Sequence, residues 1–210
     1  ALAPDLELVA PVRNWGFTRE DSIAYAAEHG IPVGATKEKL YSIDDNLWGR
    51  AIECGEMEDP WAEPPKGVWS MTVATETEPR DLEISFVEGV PTAVDGEELG
   101  LVELIDKLNT VVGAYGWGRI DMVENRRVGI KSRETYECPA ALALIMAHTD
   151  LESITLERDL AREKSRLEPR YAELIYNGFW FSPEREMLQA MIDKSQEHVE
   201  GEVSLKLYKG

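Results

Sequence analysis

Gly118-Arg119-Ile120-Asp121-Met122-Val123-Glu124-Asn125-Arg126-Arg127-Val128-Gly129-Ile130-Lys131-Ser132-Arg133-Glu134-Thr135-Tyr136-Glu137 is a stretch in which charge and strand-forming residues alternate densely. The chain carries 40 Asp and Glu against 22 Lys and Arg, yet five of its cations (Arg119, Arg126, Arg127, Lys131, Arg133) lie within this one segment. Ile120 to Val123 reads as a strand, and Gly129-Ile130 lies within or beside a second. Fixed charges at this density are costly unless they pair with one another or bind something. Two readings follow from the residues alone. Arg119 and Arg133 pair with Asp121, Glu124 or Glu137 and pin two strands together. Alternatively, the arginines hold an anion while Glu124 and Tyr136 face a polar ligand.

Outward from this segment, Pro139 to His148 is apolar nearly all round and reads as a core helix, continued helically from Leu151 to Ala161. Ser182 as N-cap with Pro183 at the first helical position starts a further helix through Ile192. Val203, Leu205 and Leu207 alternate as a final strand. Before the charged segment, Val102, Ile105, Leu108 and Val112 define a helix closed by Gly113. Leu82, Ile84 and Phe86, then Val90 to Val94 after Glu88-Gly89, read as a hairpin ended by the Asp95-Gly96 turn. The segment 35–79 is irregular, and Trp61 and Trp69 are expected to hold it against a surface. Within it, Asp44 to Glu53 reads as a short helix capped by Ser42, with Ile43, Leu47 and Ile52 on one side. At the start, Leu6 to Val12 reads as a buried strand. A helix follows from Thr18, whose spacing to Asp21 suits a capping box, and it stops at Gly30. That strand, helix and the extended Ile31-Pro32-Val33 look like the last unit of an α/β layer.

A formal charge of −18 argues against nucleic acid and anionic membranes as partners. No apolar run reaches the ~18 residues of a membrane span. Cys54 and Cys138 lack partners at metal spacing and read as free thiols of a reducing, cytoplasmic protein. His29, His148 and His198 form no metal site. There is no GxxxxGK[ST] loop, serine nucleophile elbow or HExxH. The start, Ala1-Leu2-Ala3-Pro4-Asp5, has neither an initiator Met nor signal-peptide character, so processing or excision from a longer chain is expected.

Gly118 to Arg126, Gly129 to Arg133 and Tyr136-Glu137-Cys138-Pro139 resemble the signature of argininosuccinate synthases. The resemblance extends to Ala3-Pro4 through Pro11, Tyr41-Ser42-Ile43-Asp44-Asp45-Asn46-Leu47-Trp48-Gly49-Arg50, Glu173-Leu174, Gly178 to Pro183, and Ser195 to Gly201. It implies an α+β fold, a mixed or antiparallel sheet with packed helices, for a synthetase and multimerisation domain at 35–210, truncated at its C-terminal end. It also implies that residues 1–34 end an α/β nucleotide-binding domain of the ATP pyrophosphatase type.

The reaction implied is ligation of citrulline and aspartate, with ATP (with Mg2+) as co-substrate, in a homotetramer. Ser42, Glu124 and Tyr136 match the family's citrulline-binding Ser, Glu and Tyr. A second citrulline-binding Ser, found in many members nine residues after the first, is Ala51 here. No catalytic residue is carried over. The resemblance assigns ATP to an SGGLDTS-type loop that this chain lacks, so it implies a chain inactive by itself. A non-catalytic oligomerisation or ligand-binding module remains the alternative.

Overall fold

The computed structural model describes residues 3–33 and 41–209. The chain forms two compact units, residues 1–41 and 42–210. The domain boundary expected at 34/35 lies outside the described residues.

In the first unit, α1 (Pro11–Trp15) and α2 (Arg19–Glu28) are the regular elements among the described residues. The capping box is present: Thr18 Oγ1 accepts from the Asp21 amide, and the Asp21 carboxylate accepts from the Thr18 amide. The strand expected at Leu6 to Val12 is not formed. Its last two residues, Pro11 and Val12, are helical, because Pro11 occupies a first helical position with its φ already set. Leu6 to Ala10 find no strand among the described residues to bond, and an unpaired strand leaves its amides unsatisfied. Ile31 to Val33 is likewise irregular.

The second unit is α+β, with two antiparallel four-stranded sheets. One sheet has the order β5-β4-β3-β8, from β3 (Arg80–Val87), β4 (Val90–Val94), β5 (Glu97–Glu98) and β8 (Gly201–Leu207). Its alternating Leu82, Ile84 and Phe86 are buried against α3 (Leu101–Gly113) and α4 (Pro139–Thr155). Leu104, Leu108 and Val112 enter this core from α3, and Ala140, Ala143, Leu144, Ala147 and Leu151 from α4. Helical and strand periodicities thus meet in one apolar layer. The small residues of α4 let its backbone pack close.

The expected continuous helix beyond Leu151 is in fact two. α4 ends at Thr155, and α5 (Arg158–Tyr176) starts after Glu157, whose carboxylate accepts from the amides of Asp159 and Leu160 at 3.0 Å. A side chain that satisfies new helix-start amides marks a new N-terminus. α6 (Pro183–Gln196) starts on the expected Ser182 cap.

The other sheet has the order β1-β2-β7-β6, from β1 (Ser42–Asn46), β2 (Gly49–Glu53), β6 (Arg119–Asn125) and β7 (Lys131–Glu137). The helix expected over Asp44 to Glu53 is therefore a hairpin. Asn46 Oδ1 accepts from the Trp48 and Gly49 amides at 2.8 and 3.2 Å and closes the turn. Ile43 and Ile52, read as neighbours along a helix, are partners across the hairpin. Ser42 opens a strand and caps no helix. The segment after β2 contains two short 3-10 turns, Gly55–Glu58 and Lys66–Val68. Met57, Val68 and Thr72 anchor it by burial. Trp61 does not: it is 93% exposed. Trp69 does contribute, lying 4.5 Å beneath the Arg119 guanidinium.

Candidate functional site

Register decides which side chains of the β1-β2-β7-β6 sheet meet, because directly paired antiparallel residues share a face and alternate residues return to it. Ser42 pairs with Glu53, which pairs with Glu134, which pairs with Met122. Ala51 pairs with Tyr136, which pairs with Ile120. Glu124 pairs with Ser132. Ser42, Glu124 and Tyr136 therefore lie on one face, together with Ala51, Glu53, Ser132 and Glu134.

The other face is closed at its centre. Ile52, Thr135 and Glu137 are fully buried there, with the Thr135 hydroxyl 3.3 Å from Met57 Sδ. Glu137 accepts from the amides of Ser70, Met71 and Thr72 at 2.8–3.0 Å, from the Thr72 hydroxyl at 2.7 Å and from Arg50 at 2.5 Å. Burial, the largest influence on this carboxyl, works to raise its pKa. The Ser70 and Thr72 bonds and Arg50 more than offset it, so the net direction is down. Arg119 completes the arrangement by donating to the Thr72 hydroxyl and carbonyl at 2.8 and 2.5 Å. Sequence reasoning treated Glu137 only as a possible partner for an arginine. Its main donors are backbone amides 65–67 residues away, which carry no sequence signal.

On the open face, Arg126 stands among three carboxylates, 2.5 Å from Glu53, 3.1 Å from Glu134 and 3.4 Å from Glu124. Its Nε donates to Ser132 Oγ at 2.8 Å. The Tyr136 hydroxyl donates to Glu134, and the Tyr176 hydroxyl, from the end of α5, donates to Glu124 at 2.5 Å. Glu134 is 8% exposed; burial, then the neighbouring Glu124 carboxylate, pushes its carboxyl pKa up. Glu124 is held low by its contact with Glu134, then by Tyr176 and Arg126. Burial, then Glu134, raises the Tyr136 phenol. Three acidic side chains against one guanidinium make this end of the face acidic.

Beyond Tyr136 the face turns apolar. A groove of about 320 Å³ runs over Trp48, Ala51, Ile120, Met122, Tyr136 and Leu142. Tyr136 thus stands between a carboxylate cluster and an apolar groove, and Ala51 lies beside it on the same face.

The remaining cations of the opening segment are committed elsewhere. Arg133 forms a forked pair with Asp121 at 2.7 and 2.9 Å and donates to the carbonyls of Asp59 and Ala62. Arg127 donates to the Asn177 carbonyl at 3.1 Å. Lys131 bonds Asn125. Their role here is pairing within the protein. Glu53 and Glu134 were missed by sequence reasoning. The period-two spacing of Ser132, Glu134 and Tyr136 was the available signal for Glu134; Glu53 was hidden by reading its strand as a helix. Among the described residues, no group of three His, Cys, Asp or Glu side chains is arranged to hold a metal ion.

Fold and site together define an α+β domain with one sheet face closed at its centre and the other open, acidic at one end and apolar at the other. The family described as "Arginosuccinate synthase C-terminal domain" matches residues 41–210. Proteins named argininosuccinate synthase are similar along the chain: that of Rubrobacter xylanophilus is 55% identical over 213 residues, covering 100% of this chain and 52% of the relative. That of Dictyoglomus turgidum is 55% identical over 207 residues, 99% of this chain and 52% of the relative. That of Bacillus subtilis is 53% identical over 213 residues, 100% of this chain and 53% of the relative. The chain belongs to the argininosuccinate synthase family, and it spans about half the length of these curated relatives.

Proposed function

We propose that this chain supplies the citrulline-binding wall of an argininosuccinate synthase, a carbon–nitrogen ligase of arginine biosynthesis. The ligation joins citrulline and aspartate at the expense of ATP, releasing AMP and pyrophosphate. The observation that carries the reading is the convergence of Ser42, Glu124 and Tyr136, from three different strands, on one open sheet face. Citrulline has a cationic α-ammonium, an anionic carboxylate and a neutral ureido end joined by a short methylene chain. The acidic end of the face suits the ammonium, and the groove over Ala51, Ile120 and Met122 suits the methylenes. Glu124, held ionised by its surroundings, is the charge partner for the ammonium. Ser42 contributes a neutral hydrogen bond. At position 51 a methyl group stands where many members of the family have a hydroxyl, so that contact is lost, supplied by backbone or replaced by water.

Adenylation of the ureido oxygen and attack by the aspartate amine require ATP and aspartate, with Mg2+, bound mainly outside this chain. The part played by these residues is orientation: citrulline fixed at its amino-acid end presents its ureido end to them. In the complete, homotetrameric, cytoplasmic enzyme, Glu124→Gln raises the citrulline KM or lowers turnover about tenfold or more, the scale of one charge-assisted bond. Ser42→Ala and Tyr136→Phe weaken citrulline in the same assay. Unchanged citrulline kinetics with an altered oligomer size, read by light scattering, would favour an assembly module instead.

A further inference from the structure

The carboxylate of Glu134 decides which way the Tyr136 hydroxyl can speak to a ligand. A phenol has one proton to donate and lone pairs to accept with. In this structure the proton is committed to Glu134, which is itself buried and fixed from its other oxygen by Arg126 at 3.1 Å. What Tyr136 then offers the open face is its lone pairs. Glu124 likewise offers only acceptors while ionised, one oxygen taken by Tyr176 and the other 3.4 Å from Arg126 and from Ser132. Two acceptors on one face, with the two phenol protons already given to Glu134 and Glu124, suit a group made entirely of donors. An ammonium is such a group, with three N–H bonds and no lone pair.

We propose that Glu134 is a specificity-determining positioning residue. By taking the Tyr136 proton it makes Tyr136 an obligate acceptor, so that Tyr136 and Glu124 together hold the α-ammonium of the substrate. This rests on the citrulline reading above and goes beyond it. It joins Tyr136 to Glu124 as a partner for the ammonium, and it gives a role to a residue that never touches substrate.

Glu134→Gln tests this with little change in volume. Arg126 can only donate, so the oxygen of the new side-chain amide turns to Arg126 and its NH2 turns to Tyr136. Tyr136 must then accept from the amide and point its own proton at the ligand, against an ammonium that has no lone pair. In the complete enzyme, the expected result is a citrulline KM raised about tenfold or more with kcat changed far less. In a Tyr136→Phe background the same substitution leaves KM within about twofold, because there is no hydroxyl left to reorient.

A substrate analogue supplies a readout that mere loss of structure would not move. 5-Ureidopentanoate, citrulline without its amino group, competes far more weakly than citrulline against the parent enzyme. Against Glu134→Gln that gap narrows by about the factor by which KM rises. If Glu134→Gln leaves the citrulline KM and the analogue gap unchanged while Glu124→Gln raises KM, the polarity assignment is wrong and the citrulline site stands. The assignment is equally overturned if Glu134→Gln raises KM by the same factor with and without the Tyr136 hydroxyl. If Glu124→Gln and Tyr136→Phe both leave citrulline untouched, the site reading itself falls, and the assignment with it.

Discussion

Glu137 and Tyr136 are neighbours in sequence on opposite faces of one strand, and they meet different worlds. Glu137 is fully buried and receives three backbone amides, a hydroxyl and a guanidinium. Every group around it is a donor, so only a carboxylate answers all of them. Glu137→Gln turns an NH2 into that ring of donors. It should destabilise the protein by on the order of 3–5 kcal/mol, the cost of breaking a buried charge pair, read by denaturant unfolding. The pH dependence follows from the lowered pKa. A depressed carboxyl contributes stability that is present above its unfolded value, about 4.3. That contribution is lost as pH falls through the folded value. The gap between parent and Glu137→Gln should therefore be full near neutrality, begin to narrow as pH falls past the unfolded value and close only below the folded one. Comparing the two proteins isolates Glu137 from the chain's other acids. At this scale the sequence was informative where spacing is local. The capping pair Thr18 and Asp21 and the cap Ser182 were legible because their partners lie three residues away. The environment of Glu137 was not, because its donors come from a distant irregular segment.

Strands β6 and β7 are held at the right height by the entry and exit of their hairpin. Gly118 is buried with φ of 112°, and a Cβ there would stand 2.4 Å from Pro139 Cα. Its carbonyl accepts from the Cys138 amide at 2.8 Å, tying the start of β6 to the end of β7 just where α4 begins. Gly118→Ala combines a disfavoured backbone with a collision against main chain. A loss of about 2 kcal/mol or more is expected, with Tm as the measure. Because the same tie fixes the β6–β7 register, the proposed citrulline binding should weaken in parallel. Among the elements, those with an unbroken period were read correctly: α3, α6, the β3–β4 hairpin and β8. β1 and β2 were misread because Ile43, Leu47 and Ile52 fit a helical face about as well as they fit two short strands. The Asn46 side chain and the pairing of β2 with β7 resolve the ambiguity. The break between α4 and α5 was hidden for a similar reason, since Leu156 continues the apolar pattern across it.

For the whole molecule, binding and turnover are separable. Ser42, Glu124 and Tyr136, the residues proposed to face citrulline, belong to the second compact unit, 42–210. In the proposed reaction ATP and aspartate are held mainly by parts outside this chain. The purified 210-residue chain should therefore form no argininosuccinate when supplied with ATP, citrulline and aspartate. Product detected by mass spectrometry would contradict that division of labour. Sequence by itself determined the acidic balance, most of the helices, the β3–β4 and β6–β7 strands and, through linked motifs, the family. These rest on local periodicity and on residue strings, both of which a linear chain displays. Only the tertiary structure decided that Ser42, Glu124 and Tyr136 share a face, that Glu53 and Glu134 join them, and which partners the opening segment's arginines take. Strand register and hydrogen-bond direction are relations between residues far apart in the chain. They are set by which backbone groups must find partners once water is excluded.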